Sequence, residues 1–103
     1  MRNAIKELQR RYPNVVDDVQ RAGKLLLANP TAGDVVPGGK GCRKLRVANS
    51  DARKGKSGGY RLIYYLIDEP NHEIHLLFIY SKNTQADIPP AHLIWLLKEA
   101  GLI

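Results

Sequence analysis

The chain has 103 residues, of which 44% are hydrophobic, and this length supports a single domain, residues 1–103, with a core of its own. Its one cysteine excludes an intramolecular disulfide, no apolar run approaches the roughly 18 residues of a membrane-spanning helix, and charges directly after Met1 argue against a secretory signal. These features predict a cytoplasmic protein, and the net charge of +6 favours an anionic partner such as a nucleic acid.

Two helices are predicted in the first third of the chain. The first covers 3–11, with Ile5 and Leu8 on one side and charged residues on the other. The second ends before Pro30 and repeats apolar residues at spacings of four and three: Val15, Val19, Ala22 and Leu26. We expect both helices to pack their apolar stripes on a sheet.

The first predicted strand lies in the middle of the chain. Glycines and prolines indicate an irregular connection over 31–41, after which 43–47 alternates basic and apolar residues. The apolar pair of this strand is expected to face the helices, and the basic pair, Lys44 and Arg46, to face solvent or a ligand. A polar, glycine-containing loop follows over 48–59.

The next predicted strand, 60–67, is the most informative for function. Its residues are aromatic, β-branched or leucine except Arg61, which is the composition of a buried strand. Because a guanidinium stays charged in a protein, Arg61 must either meet a carboxylate in a structural ion pair or point into a wet functional site. A period of two puts four residues on one face: Arg61, Ile63, Tyr65 and Ile67.

A turn at 68–72 and a second strand at 73–80 complete a hairpin, and the apolar character of both faces predicts an interior position for this strand. Alternation puts four of its residues on one face: Ile74, Leu76, Phe78 and Tyr80. A last helix at 91–100, closed by Gly101, is apolar nearly all round. Histidines and carboxylates are scattered, so neither a metal site nor another cofactor is predicted, and any chemistry is expected to use cations.

The positive charge is concentrated in one segment, 40–61. Eight basic residues and the single acid Asp51 give this segment +7, whereas the remainder of the chain sums to −1. Such a distribution attracts a polyanion. The alternative is a patch that serves only solubility, which does not require so uneven a distribution.

The order of elements and two motifs resemble the RelE/HigB group of toxins from bacterial type II toxin-antitoxin modules, within the RelE/ParE superfamily. The motifs are SGGYRLIYY at 57–65 and YSKN at 80–83, and the likeness covers nearly the whole chain. It implies an α+β fold, with two N-terminal helices and a C-terminal helix on a small twisted antiparallel sheet. It also implies a ribosome-dependent endoribonuclease that cuts mRNA in the ribosomal A site, and a cognate antitoxin protein that restrains it, with a heterotetramer as one form of the complex.

The resemblance implies a catalytic role for residues that match the family's motif: Arg61 on the scissile phosphate, the strand pair Lys44 and Arg46, Lys56 before the Ser and Gly positions, and Lys82. Cleavage through the RNA's own 2′-hydroxyl needs a proton acceptor, a cation for the phosphorane and a proton donor. A guanidinium suits the phosphorane. A lysine crowded by cations loses its proton more readily than an isolated one and is a candidate base or acid.

Further RNA contacts are expected from the basic segment, through Arg43, Arg53 and Lys54, and from Tyr65, which either stacks on a base or packs in the core. The sequence departs from the family in two places. Ile88 stands where many relatives have a tyrosine or histidine, which leaves the acid and the base open. The strand that usually precedes the first helix is missing, so either the sheet is short by one strand or the chain begins late.

Two other functions stay open at this point. One is a ParE-like poison of DNA gyrase, which shares the fold and cuts no nucleic acid, and the other is a non-catalytic RNA-binding module. The cations Lys44, Arg46 and Arg61 favour cleavage, because a gyrase poison needs no phosphate-directed cluster. The antitoxin is expected either to add a strand to an open sheet edge or to lie beside Leu93 and Leu97.

Overall fold

The computed structural model describes residues 1–53, 58–67 and 73–103. These residues form three helices and four strands, so the predicted α+β class is confirmed. In chain order the elements are α1 (Arg2–Gln9), α2 (Val15–Ala28), β1 (Asp34–Val35), β2 (Arg43–Val47), β3 (Tyr60–Ile67), β4 (Glu73–Ser81) and α3 (Pro90–Glu99). No helix within the described ranges is both long and apolar enough to cross a membrane.

The four strands form one antiparallel sheet in the order β1-β2-β3-β4, and the first five residues of β3 are buried, as the composition of this strand predicts. The register defines a row across the sheet: Arg46 of β2 lies opposite Arg61 of β3, and Arg61 lies opposite Tyr80 of β4. Cross-strand partners point to the same face of a sheet. These three side chains therefore share one side of the molecule.

One face of the sheet is covered by α1 and α2 and forms the larger core, here called the helix-side core. The predicted stripe of α2 is buried in it, and Leu45 and Val47 of β2 meet it from the sheet. Tyr12, after α1, contacts the ring of Tyr60 edge to face with centroids 5.8 Å apart. Burial of each aliphatic side chain in this core contributes about 1.5–3 kcal/mol relative to exposure, and this stabilises the packing of both helices on the sheet.

Helix α3 covers part of the opposite face and forms the second core, here called the α3-side core. Leu93, Leu96 and Leu97 are buried there against sheet residues that include Ile63 and Tyr80. The helix begins at a proline, whose missing N–H costs nothing at that position. It leaves uncovered the part of this face where Arg46 stays exposed and Lys44 is half-buried.

The connection predicted to be irregular over 31–41 contains strand β1, which is a correction to the sequence interpretation. Asp34 and Val35 pair with Lys44 and Arg43 of β2. The strand has only two residues and lies between glycines and prolines, so it has no periodic signal of its own. Its partner strand, and not its local propensity, makes it extended.

Strand β4 differs from the sequence interpretation in position and in pattern. It is an edge strand rather than an interior one, and its two apolar faces are explained by the helix-side core on one side and the α3-side core on the other. The register with β3 shifts between Ile63 and Tyr64, which face Phe78 and Leu76. The expectation that Leu76, Phe78 and Tyr80 share one face is therefore wrong, since Leu76 lies on the helix side. The predicted turn at 68–72 is outside the described residues.

Candidate functional site

A cleft with a volume of about 500 Å³ lies on the face of the sheet that α3 leaves uncovered. Four basic side chains from three parts of the chain line it: Lys44, Arg46, Arg61 and Lys82. Its lining also includes the carboxylates Asp34 and Asp87 and the first residue of α3, Pro90. Four of the five predicted catalytic residues thus meet in one cleft, and the fifth, Lys56, is outside the part of the chain that the structure describes.

Two arginines face each other directly in this cleft, since Arg46 of β2 and Arg61 of β3 are cross-strand partners. A favourable charge pair in this position contributes about 0.2–1 kcal/mol, and like charges cost a comparable amount. Arg46 is exposed, whereas Arg61 is only 5% exposed and donates from Nη1 to the Tyr60 carbonyl over 3.1 Å. An anion bound between the two planar guanidinium groups would remove this repulsion, and a phosphate has the matching geometry.

The Asp87 carboxylate is held at the cleft by two donors to the same oxygen. Its Oδ1 accepts the Ile88 backbone N–H at 2.8 Å and the Lys44 ammonium at 3.2 Å. The Ile88 N–H lowers the pKa of Asp87 most, the Lys44 hydrogen bond lowers it further, and the charge of Lys82 adds to the effect. Asp87 is therefore an anion at neutral pH in a lining that also holds four basic side chains.

Sequence reasoning missed Asp87, because it treated the carboxylates as scattered along the chain. The partner Lys44 is 43 positions away, and only the folded sheet brings the two together. One local signal for Asp87 was present in the sequence. Pro89 and Pro90 restrict the backbone around Ile88, and this limits the directions in which the preceding residue can point. Ile88 itself is 3% exposed and packs in the α3-side core.

Tyr80 lies beside the cleft, opposite Arg61 in the row across the sheet, and it is 3% exposed. Its hydroxyl is buried and makes no hydrogen bond of standard geometry with any described residue. Burial raises the pKa of Tyr80 most, the nearby Asp87 carboxylate raises it further, and Arg61 opposes both effects. Tyr80 therefore keeps its proton at neutral pH and provides a neutral hydroxyl close to Asp87.

The residues predicted to make further RNA contacts do not all join the cleft. Arg43 points to the helix side of β2 and donates to the Gly33 carbonyl over 2.9 Å. Tyr65 is half-buried and packs on the α3-side core, which favours the packing alternative. Arg53 is exposed, with a φ of 51° in the left-handed region, and Lys54 is outside the described ranges.

The start of the segment predicted as a loop over 48–59, here called the basic loop, is fixed to α2 by a polar network. The Asp18 carboxylate, only 1% exposed, accepts the backbone N–H and the hydroxyl of Ser50, both at 3.1 Å, and pairs with Arg21. The buried Asn49 side-chain oxygen accepts the backbone N–H groups of Asp51 and Ala52, two and three positions further on, which closes a tight turn. The loop that carries Arg53 therefore leaves the sheet in a defined direction.

Within the described ranges, no group of three or more histidine, cysteine or acidic side chains is close enough to hold a metal ion. No protein-family model matches the chain. The likeness to RelE/HigB toxins thus stays a prediction from the motifs.

Proposed function

We propose that the protein is a RelE/HigB-like toxin that cuts mRNA in the ribosomal A site and so inhibits translation. One observation carries the proposal: four cations from β2, β3 and the segment after β4 converge on one cleft, and two of them, Arg46 and Arg61, are cross-strand partners. Charge that served only solubility would be spread over the surface, because opposed like charges cost stability. The cleft is suited to a phosphodiester.

The cations would act mainly on the transition state. In the proposed step the 2′-oxygen forms a bond to the adjacent phosphorus and the bond to the 5′-oxygen breaks, which leaves a 2′,3′-cyclic phosphate and a 5′-hydroxyl. The phosphorane between them carries more negative charge than the ground state, so preorganised cations lower the barrier. Arg61, held by burial and by the Tyr60 carbonyl, and Arg46 supply forked donors for its oxygens.

Two protons move in this reaction, and two neighbouring residues suit the two roles. Asp87, an anion at neutral pH, takes the proton of the 2′-hydroxyl. Lys44, whose ammonium lies 3.2 Å from this carboxylate, gives a proton to the departing 5′-oxygen. The assignment fills the roles of acid and base that the sequence left open, and it adds a carboxylate to a site expected to use only cations.

We further propose a cytoplasmic complex with a cognate antitoxin, such as a heterotetramer, as the restrained form. Leu93 and Leu97 are both fully buried, so α3 does not offer them to a partner in the way that the sequence suggested. The other expected surface is a sheet edge. Among the strands that the structure describes, β4 pairs with β3 alone and forms one edge of the sheet, which favours addition of a strand from the antitoxin.

The first test is cleavage of mRNA on purified, programmed ribosomes. Arg61→Ala is expected to lower the cleavage rate by about 10²–10³-fold, as the loss of one donor to a developing oxyanion does. Arg10→Ala removes the same charge from an exposed position after α1 and is expected to cleave normally. Normal cleavage by Arg61→Ala would contradict the proposal.

Induction in cells separates the remaining functions. Arrested translation with mRNA cut inside codons supports the nuclease, whereas arrested DNA replication with intact mRNA supports a gyrase poison. RNA binding without cleavage in either assay supports a non-catalytic binding module.

A further inference from the structure

We propose that α3 carries a second subsite, at which an unpaired base of the RNA strand stacks on Trp95. The inference rests on the proposed function, because it assumes that a phosphodiester of the same strand occupies the cleft. Trp95 is 55% exposed, whereas every tyrosine and the phenylalanine of the chain are buried or half-buried. A large aromatic ring in water has an unused apolar face, which a base can cover.

The Trp95 ring is the outer end of a row of aromatic side chains that starts beside the cleft. Tyr80 and Phe78 have ring centroids 6.2 Å apart, Phe78 and His92 are 5.1 Å apart, and His92 and Trp95 are 6.1 Å apart. Each ring is therefore supported by the next. A supported ring loses little rotamer freedom when a ligand binds, so more of the stacking energy appears as affinity.

The row lies within reach of an RNA strand in the cleft. Pro90 lines the cleft and is the first residue of α3, and a rise of about 1.5 Å per residue puts Trp95 roughly 7.5 Å further along the helix axis. A strand that leaves the cleft along α3 would bring one of its unpaired bases to this ring. Cations that follow the backbone and rings that stack on bases are the two components of single-strand recognition.

The surroundings of Trp95 favour a base over a protein partner. The residues three and four positions away on α3 include Ala91, Lys98 and Glu99, all exposed and either small or charged. A docking helix or strand would need a wider apolar surface than this one ring offers. One flat ring next to a cationic cleft suits a single base.

The test uses the fact that Trp95 is the only tryptophan in the chain, so its fluorescence reports on this site alone. The probes are a short 2′-O-methyl RNA, which the enzyme cannot cleave, and an abasic strand of the same length and charge, both at low salt. We expect the RNA to quench Trp95 and the abasic strand to bind more weakly without quenching. Trp95→Ala is expected to weaken RNA binding by about 5- to 150-fold, the equivalent of about 1–3 kcal/mol for one stacked base.

Trp95→Phe keeps an aromatic face and is expected to keep most of the affinity, with circular dichroism as the check on folding. Equal RNA affinity of wild type and Trp95→Ala, equal quenching by the abasic strand, or no binding of either probe would overturn the subsite. So would a Trp95→Ala variant that cleaves normally but escapes neutralisation by purified antitoxin, because the occupant would then be a protein. Cleavage by the wild type on ribosomes tests the proposed function separately from all of these outcomes.

Discussion

Asp87 is the residue that makes the cleft more than a patch of positive charge. A site that only bound a polyanion would gain from the loss of this carboxylate, since it offsets part of the field of the four cations. Its fixed position, with the Ile88 N–H and the Lys44 ammonium on one oxygen, instead suits proton transfer. Because the pair is exposed to solvent, its contribution to stability is small, and position is its main effect.

Asp87→Asn keeps the size of the side chain and removes its ability to take a proton. We expect the rate of cleavage on ribosomes to fall by about 10²–10⁴-fold, the usual contribution of a general base. RNA affinity should be unchanged or higher, because the variant removes a negative charge from the cleft. Asp34→Asn, at the other carboxylate that lines the cleft, is the matched control and is expected to cleave at nearly the normal rate. A normal rate for Asp87→Asn would rule out this role.

The lowered pKa of Asp87 also determines the pH dependence. Because the pKa in the folded protein lies below the ordinary value of about 3.9, the carboxylate stays ionised throughout pH 5–8. The hydrogen bonds to Asp87 stabilise the folded protein fully at a pH above the ordinary pKa. This stabilisation is lost as the pH falls through the lowered pKa of the folded protein. Cleavage should therefore show no acid-side loss from Asp87 between pH 5 and 8, as a rate profile over this range can check.

At the scale of elements, two short connections decide the shape of the site. The Tyr64 hydroxyl donates to the Pro30 carbonyl at 2.7 Å and accepts the Gly33 N–H at 2.9 Å, which holds the chain between α2 and β1. Gly33 has no room for a side chain, since a Cβ there would lie 2.6 Å from Cε1 of Tyr64. These contacts bring β1 alongside β2 and so supply the wall of the cleft at Asp34. The second connection is the start of the basic loop, fixed to α2 through Asp18.

Asp18→Ala is expected to lower the free energy of unfolding by about 1–3 kcal/mol, because two hydrogen bonds from Ser50 to the buried Asp18 carboxylate are lost, at about 0.5–1.5 kcal/mol each. Urea denaturation measures the change. Asp17→Ala is the matched control, since it removes an exposed carboxylate from the same first turn of α2 and the same helix-dipole interaction. Hydrogen exchange over 49–53 should rise in Asp18→Ala only. Equal stability and equal exchange in the two variants would show that the network does not hold the loop.

At the scale of the whole molecule, the two faces of the sheet differ, since one packs on the two N-terminal helices and the other carries the candidate site. The helix-side core occupies one face, and the cleft occupies the part of the other face that α3 leaves open. The segment 40–61, with its charge of +7, supplies β2 and the start of β3, and three of its cations, Lys44, Arg46 and Arg61, line the cleft. Association with RNA is therefore expected to depend strongly on salt.

Lys82→Ala should reduce the slope of log affinity for single-stranded RNA against log salt concentration by about 0.7, the contribution of one phosphate contact. The sequence predicts the same for Lys54→Ala and Lys56→Ala. Lys24→Ala, at an exposed position of α2 on the other side of the sheet, should leave the slope unchanged. Equal slopes for Lys82→Ala and Lys24→Ala would mean that the cleft does not hold the backbone.

The sequence by itself determined the features that depend on local periodicity and on residue chemistry. The stripe of α2 and the two faces of β2 follow from spacings of four, three and two, and the burial of β3 follows from its aromatic, β-branched and leucine residues. The alternation of β2 also predicted that Lys44 and Arg46 face away from the helices. The charge of Arg61 in an apolar strand predicted either an ion pair or a wet site, because a guanidinium cannot become neutral, and Arg61 lines the cleft.

Only the tertiary structure decided the features that depend on partners far apart in the chain. Strand β1 forms because β2 is beside it, and β4 is an edge strand because sheet order is not encoded in the pattern of one strand. The register shift in β4 moves Leu76 away from Phe78 through pairing with β3. Asp87 joins the cleft because Lys44, 43 residues earlier, reaches it across the sheet. Periodicity reports which way a side chain points within its own element, and it carries no information about which distant residue will meet it.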